Sequence, residues 1–171
     1  ASVRDPAEVI FVKRVLQKGL PERARELISS ALFEKYVSMS ERELARQLYL
    51  TQDQNSEMIA NGMYFGSHAY DHVWLDTLEK REQENEIDRS IQFLDHLGAP
   101  TTDWIMCYPY GAYNESLIEI LKKKRCTIGL TTKVGIANLV EDNAYTLERL
   151  DTNDLPCAAD AEPNSWTQKI L

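Results

Sequence analysis

The chain has 171 residues, 43% of them hydrophobic, which suffices for one domain with a proper core, since domains commonly hold about 100–200 residues. Its 27 acidic and 19 basic residues give a formal net charge of -8, which argues against a surface for nucleic acid phosphates or anionic membranes. Three widely spaced cysteines argue against a disulfide framework. No apolar run approaches a membrane span and no signal-peptide pattern opens the chain, so we expect a cytoplasmic protein.

Residues 1–60 have the pattern of successive helices. Asp5 and Pro6 predict an N-cap followed by proline at the first helical position. The segments Ser40–Glu43 and Thr51–Gln54 each match the capping box, which predicts two further helix starts. The segment contains no histidine or cysteine, so we interpret it as an insertion or covering layer, with a lid or a partner-binding arm as the alternative.

Residues 61–156 alternate between short apolar runs and amphipathic helices. Such alternation is typical of a parallel α/β sheet or barrel, so α/β is the predicted fold class. Four strands and two helices are predicted: strands at Met63–Ser67, Trp104–Tyr108, Cys126–Thr131 and Tyr145–Leu150, and helices at Glu79–Leu97 and Asn114–Lys124. Residues 157–171 are predicted to be a loop-rich tail with one short helix.

Polar side chains follow each of the predicted strands. They are His68 with His72, the loop Pro109–Gly111, Thr131 with Thr132, and Asp151–Asp154. In parallel α/β folds the carboxyl ends of the strands meet on one face, and ligands bind there. We therefore expect these four segments to converge on a binding site.

His68 and His72 are two of only three histidines in the chain. Two imidazoles four residues apart can direct neutral nitrogens at one zinc ion, although a catalytic zinc usually has three protein ligands. The protease pattern H-E-x-x-H is excluded because Ala69 stands at its glutamate position. Asp71 is a ligand, an acceptor that orients a histidine ring nitrogen, or a carboxylate that caps a helix N-terminus. A further carboxylate ligand from elsewhere is required.

The segment Gly66–His72 resembles the histidine motif of the NodB-like polysaccharide deacetylases, with His68 and His72 as the metal-binding pair. Met106–Gly111 resembles their arginine-proline-tyrosine loop. The two blocks are separated by a long amphipathic helix, as in that family, and the resemblance covers about residues 58–156.

This resemblance implies part of a deformed (β/α) barrel, preceded here by the helical segment. It implies hydrolysis of the N-acetyl group of a sugar or glycan in bacterial surface-polysaccharide synthesis, with Zn²⁺ or a similar divalent metal on His68 and His72. The backbone amide of Tyr110 would stabilise the oxyanion. Trp74, Tyr108, Tyr110 and Pro109 would contact the sugar, with a core role as the alternative for the aromatic residues.

The chain departs from the family pattern at three points. A Thr-Phe-Asp-Asp block, which supplies a metal-binding aspartate and the catalytic base, is missing, as is a late Leu-x-His motif, part of whose role Asp151 would take. The arginine of the proline-tyrosine loop is replaced by Cys107 or Tyr108. We expect the missing aspartates to lie upstream of Ala1 and this chain alone to be inactive. The alternative is a non-catalytic carbohydrate-binding or assembly module, and the oligomeric state stays open.

Overall fold

The computed structural model describes residues 5–158 and 160–170. The chain forms two compact units, Ala1–Thr51 and Gln52–Leu171. Within the described ranges no helix has the length and apolar character that a membrane crossing needs. The candidate site lies entirely in the second unit.

The first unit consists of helices. They are α1 (Ala7–Arg14), which continues as a π-helical turn over Val15–Gly19, α2 (Glu22–Tyr36) and α3 (Glu41–Leu48). The predicted capping box of Ser40 and Glu43 is confirmed, with both reciprocal hydrogen bonds present. The predicted cap at Asp5 is wrong by one residue, because Pro6 occupies the N-cap and Asp5 pairs with Lys13 at 2.6 Å.

The second unit carries the sheet. Its elements are α4 (Gln52–Ala60), α5 (Lys80–His96), β1 (Trp104–Cys107), α6 (Glu115–Lys123), β2 (Cys126–Val134), β3 (Leu147–Arg149) and α7 (Thr167–Ile170). The strands pair in the order β1-β2-β3, and both pairings are parallel. The predicted α/β class is therefore confirmed as helices packed with a small parallel sheet.

The run 63–67, predicted to be a strand, forms only one parallel bridge beside β1. There, Ser67 N donates to Ile105 O at 2.9 Å and Cys107 N donates to Ser67 O at 2.8 Å. One step earlier, Ile105 N donates to the Tyr64 hydroxyl at 2.9 Å, where a continued strand would offer a backbone carbonyl. The prediction of a full strand is wrong, but the chain still enters the site parallel to β1.

The core of this unit lies between the sheet and helices α5 and α6. Alternate residues of β1 face inward, and Trp104 also donates from Nε1 to Lys124 O at 2.9 Å. The buried cluster comprises Leu75, Ile87, Trp104, Met106, Tyr108, Leu117, Ile120, Leu121 and Cys126. Because β1 is anchored on one side by this cluster, the loop at its carboxyl end has a fixed starting point.

Gly129 allows the Tyr108 side chain and the backbone of Tyr145 to lie close to strand β2. A Cβ at this position of β2 would overlap with the Tyr108 hydroxyl and with the backbone carbonyl of Tyr145. We expect Gly129→Ala to lower the free energy of unfolding by about 1–3 kcal/mol, as overpacking typically does. Urea denaturation checks this, with Gly19→Ala as a control, since a Cβ there meets only ordinary contacts at 3.7 Å and beyond. Equal stability of the two variants would contradict the close approach.

Candidate functional site

Two loops and strand β2 meet at the carboxyl end of β1. The loop 68–72 follows the bridge at Ser67, and its His72 ring lies 4.8 Å from the ring of Tyr110 in the turn after β1. The same turn packs against β2, because a Cβ on Gly111 would overlap with the Thr132 side chain. Of the four segments predicted to converge, the structure thus brings together the loop 68–72 and the turn Pro109–Gly111. Thr132 lies against that turn from within β2, and Thr131 is buried and donates to Leu147 O.

The two histidines of the loop direct their Nε2 atoms at each other. His68 Nδ1 donates to the carbonyl of Cys107 at 2.7 Å, which leaves His68 Nε2 as an acceptor. His72 Nε2 lies 3.1 Å from that atom, and both side chains are partly covered by the protein but keep solvent-exposed surface. A hydrogen bond on the far nitrogen is the usual means of orienting a metal-binding imidazole.

This spacing fits two ligands of one zinc ion. Two nitrogens on a tetrahedral zinc, with bonds of about 2.0–2.1 Å, lie about 3.3–3.4 Å apart. The separation of 3.1 Å between the Nε2 atoms of His68 and His72 needs only a small opening to match. Among the described residues, however, no cluster of three or more histidine, cysteine, aspartate or glutamate side chains is placed to bind a metal. The described residues thus place two imidazole nitrogens at a spacing that suits zinc, without a third group of these types beside them.

Partial burial lowers the pKa of His72 below its ordinary value of 6.5, and the neighbouring His68 lowers it further. A proton on this ring is therefore bound less tightly in the folded protein than in the unfolded chain. We expect the free energy of unfolding to fall as pH drops below about 6.5 and protonates the unfolded chain first. In a ¹H–¹⁵N titration, His72 is expected to lose its proton at lower pH than the same histidine in a short unfolded peptide. Identical titration midpoints would contradict the burial.

Three side chains of α5 hold the loop that carries the histidines. Ser90 Oγ lies 2.7 Å from Ser67 Oγ at the start of the loop. Glu86 is buried, and its Oε2 accepts from two consecutive loop amides at 3.2 and 2.9 Å. Arg89 forms an ion pair with Asp71 at 2.5 Å, which gives this carboxylate an anchoring contact to α5.

These contacts to α5 were not predicted from the sequence, although a signal for them exists. Gln83, Glu86 and Ser90 are buried polar residues on the same stripe of α5 as Ile87 and Leu94. Polar residues placed on the apolar face of a helix need hydrogen-bond partners inside the protein. The stripe therefore indicates a polar contact across the helix, without indicating which loop supplies it.

The turn after β1 leaves one backbone amide without a hydrogen bond inside the turn. Tyr110 has a left-handed backbone with φ 58°, inside the 3-10 turn Pro109–Gly111. The amides on its C-terminal side are used within the turn, since Gly111 N donates to Tyr108 O and Ala112 N donates to Pro109 O. Across residues 5–158 and 160–170, the Tyr110 N–H has no hydrogen-bond acceptor. An amide held in this way can donate to a bound ligand.

Trp74 stacks on Tyr110 beside the histidines. The two rings are 4.4 Å apart between centroids and lie within 4° of parallel. Both residues are only half-buried, so the pair retains an accessible aromatic surface. Such a surface suits contact with the apolar face of a sugar ring.

Two of the predicted sugar contacts require correction. Tyr108 is 1% exposed, its hydroxyl donates to Tyr145 O at 2.8 Å, and burial raises the pKa of its phenol. Pro109 is also fully buried. Tyr108 continues the inward alternation of β1 into the core, so neither it nor Pro109 presents a surface to a ligand.

Asp151 caps its own short turn. Its carboxylate accepts from Asn153 N at 2.8 Å, at the start of the 3-10 turn Thr152–Asp154. It does not form a metal-binding cluster with the two histidines in the part of the chain that the structure describes. The predicted catalytic role of Asp151 therefore gains no support from its contacts.

Comparison with known proteins identifies relatives of the chain. A family model described as polysaccharide deacetylase matches residues 28–129. The putative polysaccharide deacetylase YxkH of Bacillus subtilis (strain 168) is 30% identical over 114 residues, which are 67% of this chain and 40% of the relative.

Two solved structures share the fold. The deacetylase PplD of Streptococcus pyogenes, in complex with acetate, is 28% identical with a TM-score of 0.54, over 70% of this chain and 48% of its own. IcaB from Ammonifex degensii is 25% identical with a TM-score of 0.51, over 60% of this chain and 48% of IcaB. The chain thus spans less than half the length of these relatives.

Proposed function

The chain belongs to the polysaccharide deacetylase family, and we propose that it contributes the histidine half of a metal-dependent N-deacetylase site. The observation that carries the proposal is the convergence of His68 Nε2 and His72 Nε2, 3.1 Å apart, beside the turn after β1. We further propose that the parallel sheet is part of a deformed (β/α) barrel. The substrate class is an N-acetylated saccharide of a bacterial surface polysaccharide.

His68 and His72 would hold Zn²⁺ or a similar divalent ion through their Nε2 atoms. Such an ion, when bound, supplies a water molecule of lowered pKa and polarises a carbonyl oxygen. Cys107 O keeps His68 in the tautomer that leaves Nε2 free to bind, through its 2.7 Å contact with Nδ1. Because the pKa of His72 is lowered, this ring is neutral, as a metal ligand must be, at neutral pH.

The Tyr110 amide and the stacked rings would bind the substrate. The Tyr110 N–H would donate to the acetamide oxygen as negative charge develops on it, and the stack of Trp74 on Tyr110 would contact the face of the sugar. Removing one oxyanion donor of this kind typically costs about 3–4 kcal/mol of transition-state stabilisation. These two contacts orient the acetamide beside the histidine pair.

The test compares this chain with the longest protein that its coding sequence encodes. For each protein, the acetate released from N-acetylated oligosaccharides in the presence of Zn²⁺ is measured. The described residues offer no third ligand beside the histidines, so we expect this chain to release acetate only at the background rate. A longer protein that adds a carboxylate ligand is expected to release acetate above that rate. Release that persists at the original rate in a variant lacking both His68 and His72 side chains would refute the proposed site.

A second candidate function is a carbohydrate-binding or assembly module without turnover. The half-exposed stack of Trp74 on Tyr110 favours it. The coding sequence upstream of Ala1 distinguishes the two candidates. Paired aspartates in a strand-like apolar run there support the deacetylase, whereas calorimetric binding of oligosaccharides without acetate release by the whole gene product supports the module.

A further inference from the structure

We propose that Glu86 is a positioning residue, which holds the turn of the loop 68–72 so that His68 and His72 can bind one metal ion. The inference rests on the proposed function, because it assumes that His68 and His72 bind a metal ion. Glu86 itself belongs to α5 and lies outside the loop that carries the histidines. The observation behind it is one buried carboxylate that accepts from two consecutive amides between the two histidines.

The loop needs such support because its backbone is strained. Ala69 has φ 62° and His72 has φ 54°, both in the left-handed region that residues other than glycine rarely adopt. The reversal that these angles produce brings two rings four residues apart to a centroid distance of 4.7 Å. A strained backbone persists only where the surrounding structure holds it.

The Glu86 carboxylate contacts the loop at the centre of that reversal. Its Oε2 accepts from Tyr70 N at 3.2 Å and Asp71 N at 2.9 Å, and these two amides lie between the strained residues. Consecutive backbone N–H groups that converge in this way form a binding concavity for an anion. Glu86 is 5% exposed, so water does not replace the carboxylate easily.

The other contacts from α5 are weaker constraints on the turn. Arg89 pairs with Asp71 and lies over the Tyr70 ring at 3.8 Å, but both partners of the ion pair are exposed. Exposed ion pairs contribute little because water and salt screen them. The contact of Ser90 with Ser67 fixes the start of the loop and not its reversal. The position of the two amides therefore depends chiefly on Glu86.

The helix itself does not need Glu86 to stay in place. α5 is anchored by Ile87 and Leu94, which are 0% and 4% exposed in the core. The hydrogen bonds of the Glu86 carboxylate run to the two loop amides and, at 3.5 Å, to Arg89. The carboxylate thus acts on the loop, which separates a positioning role from general support of the fold.

The experiment compares Glu86→Ala with two controls in the whole chain, using Zn²⁺ titrations followed by NMR of the histidine rings. Glu86→Ala is expected to raise the Kd for Zn²⁺ about 10- to 100-fold, as loss of an outer contact to a ligand typically does. Glu86→Gln keeps an oxygen that accepts from both amides and is expected to stay within about threefold. Ile87→Val, the adjacent buried residue, is expected to lower stability and leave the Kd within about twofold.

Two further readouts need no metal. In the wild type, the Tyr70 and Asp71 amides are expected to exchange slowly with solvent, and a ring-to-ring NOE is expected between His68 and His72. Both signals are expected to disappear in Glu86→Ala and to return in Glu86→Gln. If Glu86→Ala does not fold, slow exchange in the wild type and retention of the NOE in Glu86→Gln decide the question.

The two proposals fail in different ways. A folded Glu86→Ala protein with the wild-type Kd and an intact ring-to-ring NOE overturns the positioning role and leaves the metal site standing. A wild-type protein whose histidine signals ignore Zn²⁺, but whose NOE depends on Glu86, overturns the metal site and supports the positioning role. Fast exchange of Tyr70 and Asp71 amides in the wild type overturns the positioning role directly.

Discussion

Zn²⁺ binding is expected to be lost from His68→Ala and from His72→Ala, with the Kd raised roughly 60- to 700-fold in each. Structural zinc sites with four protein ligands bind Zn²⁺ with a free energy of about 10–16 kcal/mol. A site of two histidines is expected to have about half of that binding free energy, which corresponds to a Kd between roughly 1 µM and 0.2 mM. Removing either imidazole is expected to halve the binding free energy of the two-histidine site. Because each imidazole would supply one nitrogen to the same ion, the two substitutions are expected to have effects of similar size.

The matched control is His96→Ala. His96 is the third histidine of the chain, exposed in the last turn of α5, and it is expected to leave the Kd unchanged. Isothermal titration calorimetry with the chain alone measures all three variants. A wild-type Kd for His72→Ala would show that the pair does not act together.

The largest effect on stability is expected from Trp104→Ala. Trp104 is 0% exposed, begins β1 and donates from Nε1 to Lys124 O at 2.9 Å at the end of α6. Its removal leaves a cavity between sheet and helix and an unpaired carbonyl, and substitutions of this kind cost about 3–5 kcal/mol. We expect a loss of that size in the free energy of unfolding.

Urea denaturation followed by far-ultraviolet circular dichroism measures this loss without depending on tryptophan fluorescence. Tyr49→Ala removes an aromatic side chain that is 72% exposed, and is expected to change the free energy of unfolding by less than about 0.5 kcal/mol. Equal losses in the two variants would contradict the assignment of the core to the sheet and α6.

Local patterns in the sequence are enough to predict much of this fold. The apolar stripe and the terminal Gly98 predict α5, and Asn114, whose side chain accepts from Leu117 N at 3.0 Å, predicts the start of α6. The spacing of the two histidines predicts a pair that converges. These features depend on residues a few positions apart, which is the range over which sequence patterns are informative.

Two features that the sequence did not predict depend on contacts between residues distant in the chain. The pattern of residues 63–67 does not indicate that the Tyr64 hydroxyl accepts the hydrogen bond that a strand carbonyl would accept. The pattern of α5 does not indicate that Glu86 accepts from amides 15 and 16 residues away. Tyr108 and Tyr110 look alike in sequence, but one continues the alternation of β1 inward and the other turns outward with φ 58°. The burial of Tyr108 was predictable from that alternation.

The most direct test of the central claim, that His68 and His72 together bind a metal, is zinc-edge X-ray absorption on the chain loaded with one equivalent of Zn²⁺. We expect scattering from two imidazoles bound through nitrogen at about 2.0–2.1 Å, which disappears when both histidines are replaced by alanine. A zinc ion surrounded by oxygen alone in the wild-type chain, or imidazole scattering that survives the double substitution, would contradict it.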